Sequence, residues 1–450
     1  MSTLGIWRSE MSKSVLFSDI TIVSPHDNAP VSVIEHGYCS VADKKILYAG
    51  TSEEAAVSAL KELKDEDYFV YTGKNKILCP AFANAHAHTP MSIFRNIADD
   101  RALQDWLFGQ IIPREDKMIP DDFYYGNLLT IAEMVESGTA CAANMYDGAL
   151  LIAKGAVESG FRVQQTSMGK KCIDGKWSID KDSVEELNDF IRKEGNGLIS
   201  HSLLVHSIYL YPEYFYQPLS DLAKEYGIPV SVHVSETITE NENCCKSYGC
   251  SPVEKLDSVG LLTDTTVAAH CVHLSEEDRK ILASRKVWVA HNPSSNMKLA
   301  SGFADMVNMQ KDGVRLCIGT DGAASNNNQD MYMEMRLASF MAKGNTLDPT
   351  VLKAEDVFTM ATRNGYLACG FDQCGIIEQG MTADLQVIDY DCPQMWPLGN
   401  PISALVYSCG PKCVESVMID GQFVLYKHEL KTIDLEKVKA ETKKTMERLK

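Results

Sequence analysis

No run of about 18 apolar residues occurs in this 450-residue chain, so a membrane-spanning helix is not expected. The opening Met1-Ser-Thr-Leu-Gly-Ile-Trp-Arg-Ser-Glu10 lacks the apolar core of a secretory signal, and the expected setting is the cytoplasm. Basic residues are in deficit: 43 Lys and Arg stand against 61 Asp and Glu, a net charge of −18. Such a surface repels polyanions, so no nucleic-acid partner is expected. Gly-rich phosphate loops, internal repeats and low-complexity tracts are absent. Fourteen cysteines are present, but none forms the paired Cys-x-x-Cys of a structural zinc site. Cys79, Cys141, Cys271 and Cys317 sit singly in apolar runs and are expected as reduced core thiols. Cys244, Cys245 and Cys250 cluster in a polar stretch, and Cys409 and Cys413 bracket a Gly-Pro turn; these too are expected to be free thiols.

The chain is too long for one ordinary domain, yet an α/β barrel of ~250 residues plus a smaller domain accounts for it. Ser14-Val-Leu-Phe-Ser-Asp-Ile-Thr-Ile-Val23 and Tyr38-Cys-Ser-Val-Ala-Asp-Lys-Lys-Ile-Leu-Tyr48 alternate as short strands do. The texture returns in Gly380-Met-Thr-Ala-Asp-Leu-Gln-Val-Ile-Asp389 and in Val414-Glu-Ser-Val-Met-Ile-Asp-Gly-Gln-Phe-Val-Leu-Tyr426, the latter containing an Asp-Gly turn. Between these flanks, strands alternate with longer helical stretches, the mark of βα units. The expected architecture is therefore a (β/α)8 TIM-like barrel over residues 79–378. Residues 13–78 and 379–450 would form a discontinuous β-sandwich domain, closed by a charged, solvated helix from Leu435.

The most informative residues are His86 and His88, in Pro80-Ala-Phe-Ala-Asn-Ala-His-Ala-His-Thr-Pro-Met91. Alternate strand residues share a face, so a His-x-His at a strand end aims both imidazoles at one point. The apolar Ile77-Leu78-Cys79 before them fits the body of that strand, with the ligands at its carboxyl end, where parallel barrels carry their chemistry. A lone His-x-His is often incidental, but the pattern recurs. Ile228-Pro-Val-Ser-Val-His-Val-Ser-Glu236 delivers His233 and Glu236, Val267-Ala-Ala-His-Cys-Val-His273 delivers His270, and Val314-Arg-Leu-Cys-Ile-Gly-Thr-Asp-Gly322 delivers Asp321.

With those residues in view, the chain resembles the amidohydrolase superfamily, specifically its branch of S-adenosylhomocysteine and 5′-methylthioadenosine deaminases. The resemblance spans nearly the whole chain. It includes Asp105-Trp-Leu-Phe-Gly-Gln-Ile-Ile-Pro-Arg-Glu-Asp116, His291-Asn-Pro-Ser-Ser-Asn-Met-Lys-Leu299 and Gly319-Thr-Asp-Gly-Ala-Ala-Ser-Asn-Asn-Asn328. It implies one divalent metal, zinc before iron(II), on His86, His88, His233 and Asp321, with His270 beside it. It also implies that Glu115 meets the ribose hydroxyls, that Trp106 lies against the nucleoside and that His206 contacts the purine. Homo-oligomers are common in the family and are expected here.

Three neutral imidazoles and one carboxylate leave a divalent ion net positive with a position free for water, whose pKa then falls from about 15.7 towards about 7. Asp321 can take the water proton, His270 can orient the attacking oxygen, and Glu236 can protonate a ring nitrogen of the substrate. The expected reaction is hydrolytic deamination of adenosine, 5′-methylthioadenosine or S-adenosylhomocysteine. In bacterial relatives of this branch, arginines after the third barrel strand bind the amino-acid carboxylate of the largest substrate. Here that region offers only Lys170, Lys171 and Lys176, and a lysine is a point charge, not a bidentate fork. Alternatives are a deaminase or chlorohydrolase of another aminated heterocycle such as guanine, a triazine or a pterin, and a non-catalytic metal-binding protein.

Overall fold

The computed structural model describes residues 14–62 and 67–449. Residues 1–10, and the outer limits Lys13 and Lys450 of the expected terminal domain, lie outside them. Eight strands pair in parallel in chain order: Phe82–Ala87, Thr139–Asn144, Arg162–Ser167, Ile199–Leu204, Val230–Val234, Val267–His270, Trp288–His291 and Arg315–Ile318. They are buried almost throughout because helices cover their outer face; Val267–His270 and Trp288–His291 read as apolar runs, whereas Arg162–Ser167 carries mostly polar side chains into the interior. The last strand returns beside the first, where the Asp321 N–H donates to the His86 carbonyl at 2.9 Å. This close approach explains Gly319: a Cβ there would lie 2.7 Å from the His86 backbone nitrogen. The flanking helices need only one apolar stripe. Tyr216–Tyr226 buries Leu219, Leu222 and Ala223 at helical spacing and stops at Gly227, whose φ of 62° places it in the left-handed region that favours glycine.

A second sheet of nine strands draws on both ends of the chain. Its central pairing joins Lys76–Pro80 to Leu385–Asp389, antiparallel, across some three hundred residues. Ile77-Leu78-Cys79 therefore belongs to this sheet, which corrects the expectation that it forms the body of the His-x-His strand; that strand begins afresh at Phe82. The sheet curls on itself, so that Phe17 from Val15–His26 meets Phe423 from Gln422–Tyr426 at 6.4 Å between ring centroids. Tyr71 stacks on Phe423 at 5.9 Å, giving this lobe its own aromatic core. Asp420 and Gly421, at φ 53° and 76°, make the tight hairpin turn read from the sequence.

The buried Arg162, on the third barrel strand, reaches Asp384 and Asp420 of the terminal sheet with contacts of 2.5 and 3.0 Å. Removing one partner would leave an uncompensated buried charge, costing about 3–5 kcal/mol. The helix Leu435–Arg448 is solvated on one side only. Val438, Thr442 and Thr445 are buried, and Thr445 donates to Asp122 on the barrel helix Pro120–Glu136. Among the described residues no helix is long and apolar enough to cross a membrane.

Candidate metal centre and nucleoside pocket

His86, His88, His233, His270 and Asp321 come from four strand ends and converge at the carboxyl face of the barrel, all buried. Two sets of ring nitrogens and carboxylate oxygens, His86/His88/Asp321 and His86/His233/His270, each lie within 4.8 Å of one another. Asp321 Oδ1 is 3.2 Å from His88 Nε2 and 3.5 Å from His86 Nε2, and His233 Nε2 is 3.3 Å from His88 Nε2. His270 and Asp321 hold φ values of 72° and 65°. Side chains rarely adopt this backbone state, at a cost of about 1–3 kcal/mol each, and such strain concentrates at functional sites.

The outer ring nitrogens fix the inner ones. His88 Nδ1 donates to the Met145 carbonyl at 2.5 Å, His233 Nδ1 to the His206 carbonyl at 2.8 Å, and His270 Nδ1 to Asn296 Oδ1 at 2.8 Å. A proton on each Nδ1 leaves each Nε2 lone pair facing the centre, the arrangement found around metal-ligating imidazoles. Burial holds His86 down to about 4 and His233 well below the usual imidazole range, so both rings are neutral at pH 7. His88 goes the other way: burial would lower it, but the Asp321 carboxylate outweighs that. His86 Nε2 is buried with no hydrogen-bond partner among the described residues, and His233 and His88 set two nitrogens against each other. Unpartnered lone pairs around one point fit a divalent cation held by nitrogen and oxygen ligands.

Asp321 is oriented from behind by Ser295 and Ser325, whose hydroxyls donate to Oδ2 at 2.5 and 2.8 Å. Spacing along the chain assigns no role to Ser295, Asn296 or Ser325. Their polar side chains in buried segments beside the strand ends were the available signal. Glu236 is buried 3.9 Å from His270 Nε2, and Ser301 donates to it at 3.4 Å. Burial pushes its carboxyl above the usual range, opposed by His270.

A cavity of about 470 Å³ opens over this cluster, and Trp106, Glu115, His206, His233, Glu236, His270 and Asp321 all line it. Glu115 sits in the wall with Tyr146 donating to its Oε1, a partner the sequence did not suggest. Desolvation raises the Glu115 carboxyl despite that bond. Trp106 is buried and its indole N–H has no partner among the described residues. His206 packs against His233 at 4.6 Å between ring centroids, and burial lowers its ring to about 3. His273 and His201 are bound to Ser301 and to Asn188 and Ser167, as structural histidines.

The three lysines separate clearly. Lys170 turns into the cavity, 5% exposed, donating to the Leu204 carbonyl at 2.7 Å and lying 4.9 Å over the Tyr211 ring. Lys171 faces solvent and pairs with Asp180, and Lys176 is exposed. Among the described residues the cavity lining thus carries one lysine but no guanidinium fork.

Comparison with known proteins agrees with this geometry. Residues 77–424 match the amidohydrolase family model. The chain is 41% identical over 425 residues to a 5-methylthioadenosine/S-adenosylhomocysteine deaminase of Acetivibrio thermocellus, covering 94% of this chain and 96% of that one. It is 36% identical to a 5'-deoxyadenosine deaminase of Methanocaldococcus jannaschii, covering 85% and 91%. Among solved structures, an adenosine deaminase from Xanthomonas campestris with bound zinc superposes with a TM-score of 0.88 at 32% identity, covering 97% and 98%. A match over more than three quarters of the chain, on a metal-binding barrel of the same design, means that this protein belongs to the amidohydrolase family.

Proposed function

We propose that this protein is a metal-dependent hydrolytic deaminase of adenine nucleosides, releasing ammonia and leaving the inosine-type product. The observation that carries the reading is the set of inward-facing Nε2 atoms and the Asp321 carboxylate beneath a cavity whose wall holds Glu115. One divalent ion, zinc before iron(II), would be held by His86, His88, His233 and Asp321. When bound, it supplies positive charge that brings the pKa of water near neutrality.

The protein's own groups do the rest. Asp321, anchored by Ser295 and Ser325, accepts one proton of the attacking water, while His270, oriented by Asn296, accepts a hydrogen bond from the other water O–H at its Nε2 and so aims the oxygen. Glu236, held protonated more readily than an exposed acid, delivers a proton to the purine ring nitrogen and so makes the amidine carbon electrophilic. The water proton taken up by Asp321 then passes to the amino group, the C–N bond breaks and ammonia leaves, while the remaining hydroxyl proton returns to Glu236. Glu115 accepts from the ribose hydroxyls, Trp106 covers the nucleoside and His206 meets the purine edge. The Glu115–Tyr146 pair favours a ribose-bearing substrate over guanine, a triazine or a pterin, none of which offers paired hydroxyls. Fourteen unpaired thiols suit a reducing cytoplasm, and a homo-oligomer is the assembly we propose, to be tested by sedimentation at micromolar concentration. The deciding experiment is ammonia release from adenosine, methylthioadenosine, S-adenosylhomocysteine, guanine and a triazine, with metal analysis of the same sample. Preference for a free base or a triazine would overturn the nucleoside assignment.

A further inference from the structure

Away from the metal centre, the terminal sheet brings two cysteines together. Cys392 lies in the loop after Leu385–Asp389, and Cys413 closes the short helix Pro411–Cys413 that leads into Val414–Ile419. These two strands are antiparallel neighbours with Ile388 opposite Val414, so the register sets both thiols at the same end of the pair. Their sulfurs are 3.7 Å apart, and Gln394 donates its side-chain N–H to Cys413 Sγ at 3.0 Å. Cys392 is half-buried, and Cys413 beside it is buried. We propose that Cys392 and Cys413 form a peroxide-oxidisable dithiol that closes reversibly to a disulfide.

A covalent bridge is about 2.05 Å long, so closure needs the sulfurs to approach by less than about 2 Å. Neighbouring Cys409, Gln394 and the Gly410 backbone favour the thiolate of Cys413 and hold it down to about 6, whereas burial raises the Cys392 thiol. The division of labour follows, because the thiolate is the nucleophile. Cys413 attacks one oxygen of hydrogen peroxide; the O–O bond breaks, giving the sulfenic acid and hydroxide, which takes a proton to become water. Cys392 Sγ then attacks Cys413 Sγ; the S–O bond breaks, the S–S bond forms, and the hydroxyl leaves with the Cys392 proton as a second water. Each sulfur gives up one electron, and peroxide accepts two. The other candidate partner is Cys409, but it is buried, and its own thiol is pushed up by burial.

The test uses the full-length protein with its metal. It is exposed to a few equivalents of hydrogen peroxide at pH 7, the remaining thiols are alkylated, and the peptides are mapped by mass spectrometry. The expected result is one bridge, Cys392 to Cys413, reversed by dithiothreitol and formed at least about tenfold faster than oxidation of the buried Cys39 or Cys79, as the thiolate difference requires. In C392S, a sulfenic acid trapped by dimedone should accumulate on Cys413. A bridge to Cys409, uniform slow oxidation of all fourteen thiols, or dimedone labelling elsewhere would overturn the proposal. The wild-type map stands even if a variant fails to fold. Neither cysteine lines the nucleoside cavity, so deamination should be unchanged in the bridged form.

Discussion

The Nδ1 of His233 stands 2.8 Å from the carbonyl oxygen of His206, the residue that follows the neighbouring barrel strand closely. One residue thus supplies both a backbone acceptor that sets the ligand's tautomer and a side chain in the cavity wall. Under the proposed function, metal affinity and substrate contact would be coupled through this single strand end.

The site should hold one tightly bound divalent ion per chain. Elemental analysis is expected to return one equivalent, and exhaustive chelation to abolish deamination and lower Tm. At one hundred times Kd, bound metal contributes about 2.7 kcal/mol of stability. Two equivalents, or activity that survives chelation, would contradict the assigned ligand set. D321N should lose metal and rate together.

Glu236→Gln should keep the metal yet lose deamination. The amide preserves shape and hydrogen bonding but cannot deliver a proton, and a general acid–base group is worth about 10²–10⁴-fold in rate. The loss should fall in kcat at full metal occupancy, measured by loss of adenine absorbance. Near-normal turnover would show that another group carries the proton.

Free adenine should be a poor substrate. A hydrogen bond to a charged group is worth about 1.5–3 kcal/mol, and adenine leaves the Glu115 carboxylate without the ribose donors. Glu115→Gln should therefore cost adenosine roughly 10–100-fold in kcat/KM while leaving adenine almost unaffected. Equal losses for both compounds would mean that Glu115 does not meet the ribose.

Substrate size should depend on pH through Lys170. Burial holds its ammonium down to about 7, far below the usual lysine range, with Asp147 opposing. The charge is present below that value and lost as pH rises through it, so recognition of an amino-acid carboxylate should weaken from pH 6 to pH 8. Methylthioadenosine, which has no carboxylate, should show no such change in KM. Across neutral pH, methylthioadenosine or adenosine is expected to match or exceed S-adenosylhomocysteine in kcat/KM. Lys170→Met should remove the pH dependence for the larger substrate alone; if it does not, the lysine is not the contact.

The sequence alone determined the barrel and which His and Asp residues stand at its strand ends, because both follow from local periodicity. A strand repeats every two residues, so His86 and His88 must share a face wherever their strand lies. Apolar runs ending in His233, His270 and Asp321 mark strand ends by the same logic. Only the tertiary structure decided what required a partner distant in sequence. Ile77-Leu78-Cys79 looks like any buried strand, and it joins the terminal sheet because its hydrogen bonds go to Leu385–Asp389. The Met145 and His206 carbonyls and Tyr146, from other strand ends, and Asn296, from the helix Pro293–Lys298, reach partners for which spacing along the chain carries no information. Alternation predicts that Lys170 and Lys171 face opposite ways, but which of them enters the cavity depends on how the hairpin of Lys170–Ile173 with Lys176–Ile179 packs against the barrel mouth. Period is written locally, whereas orientation is fixed by the surfaces that must be buried together.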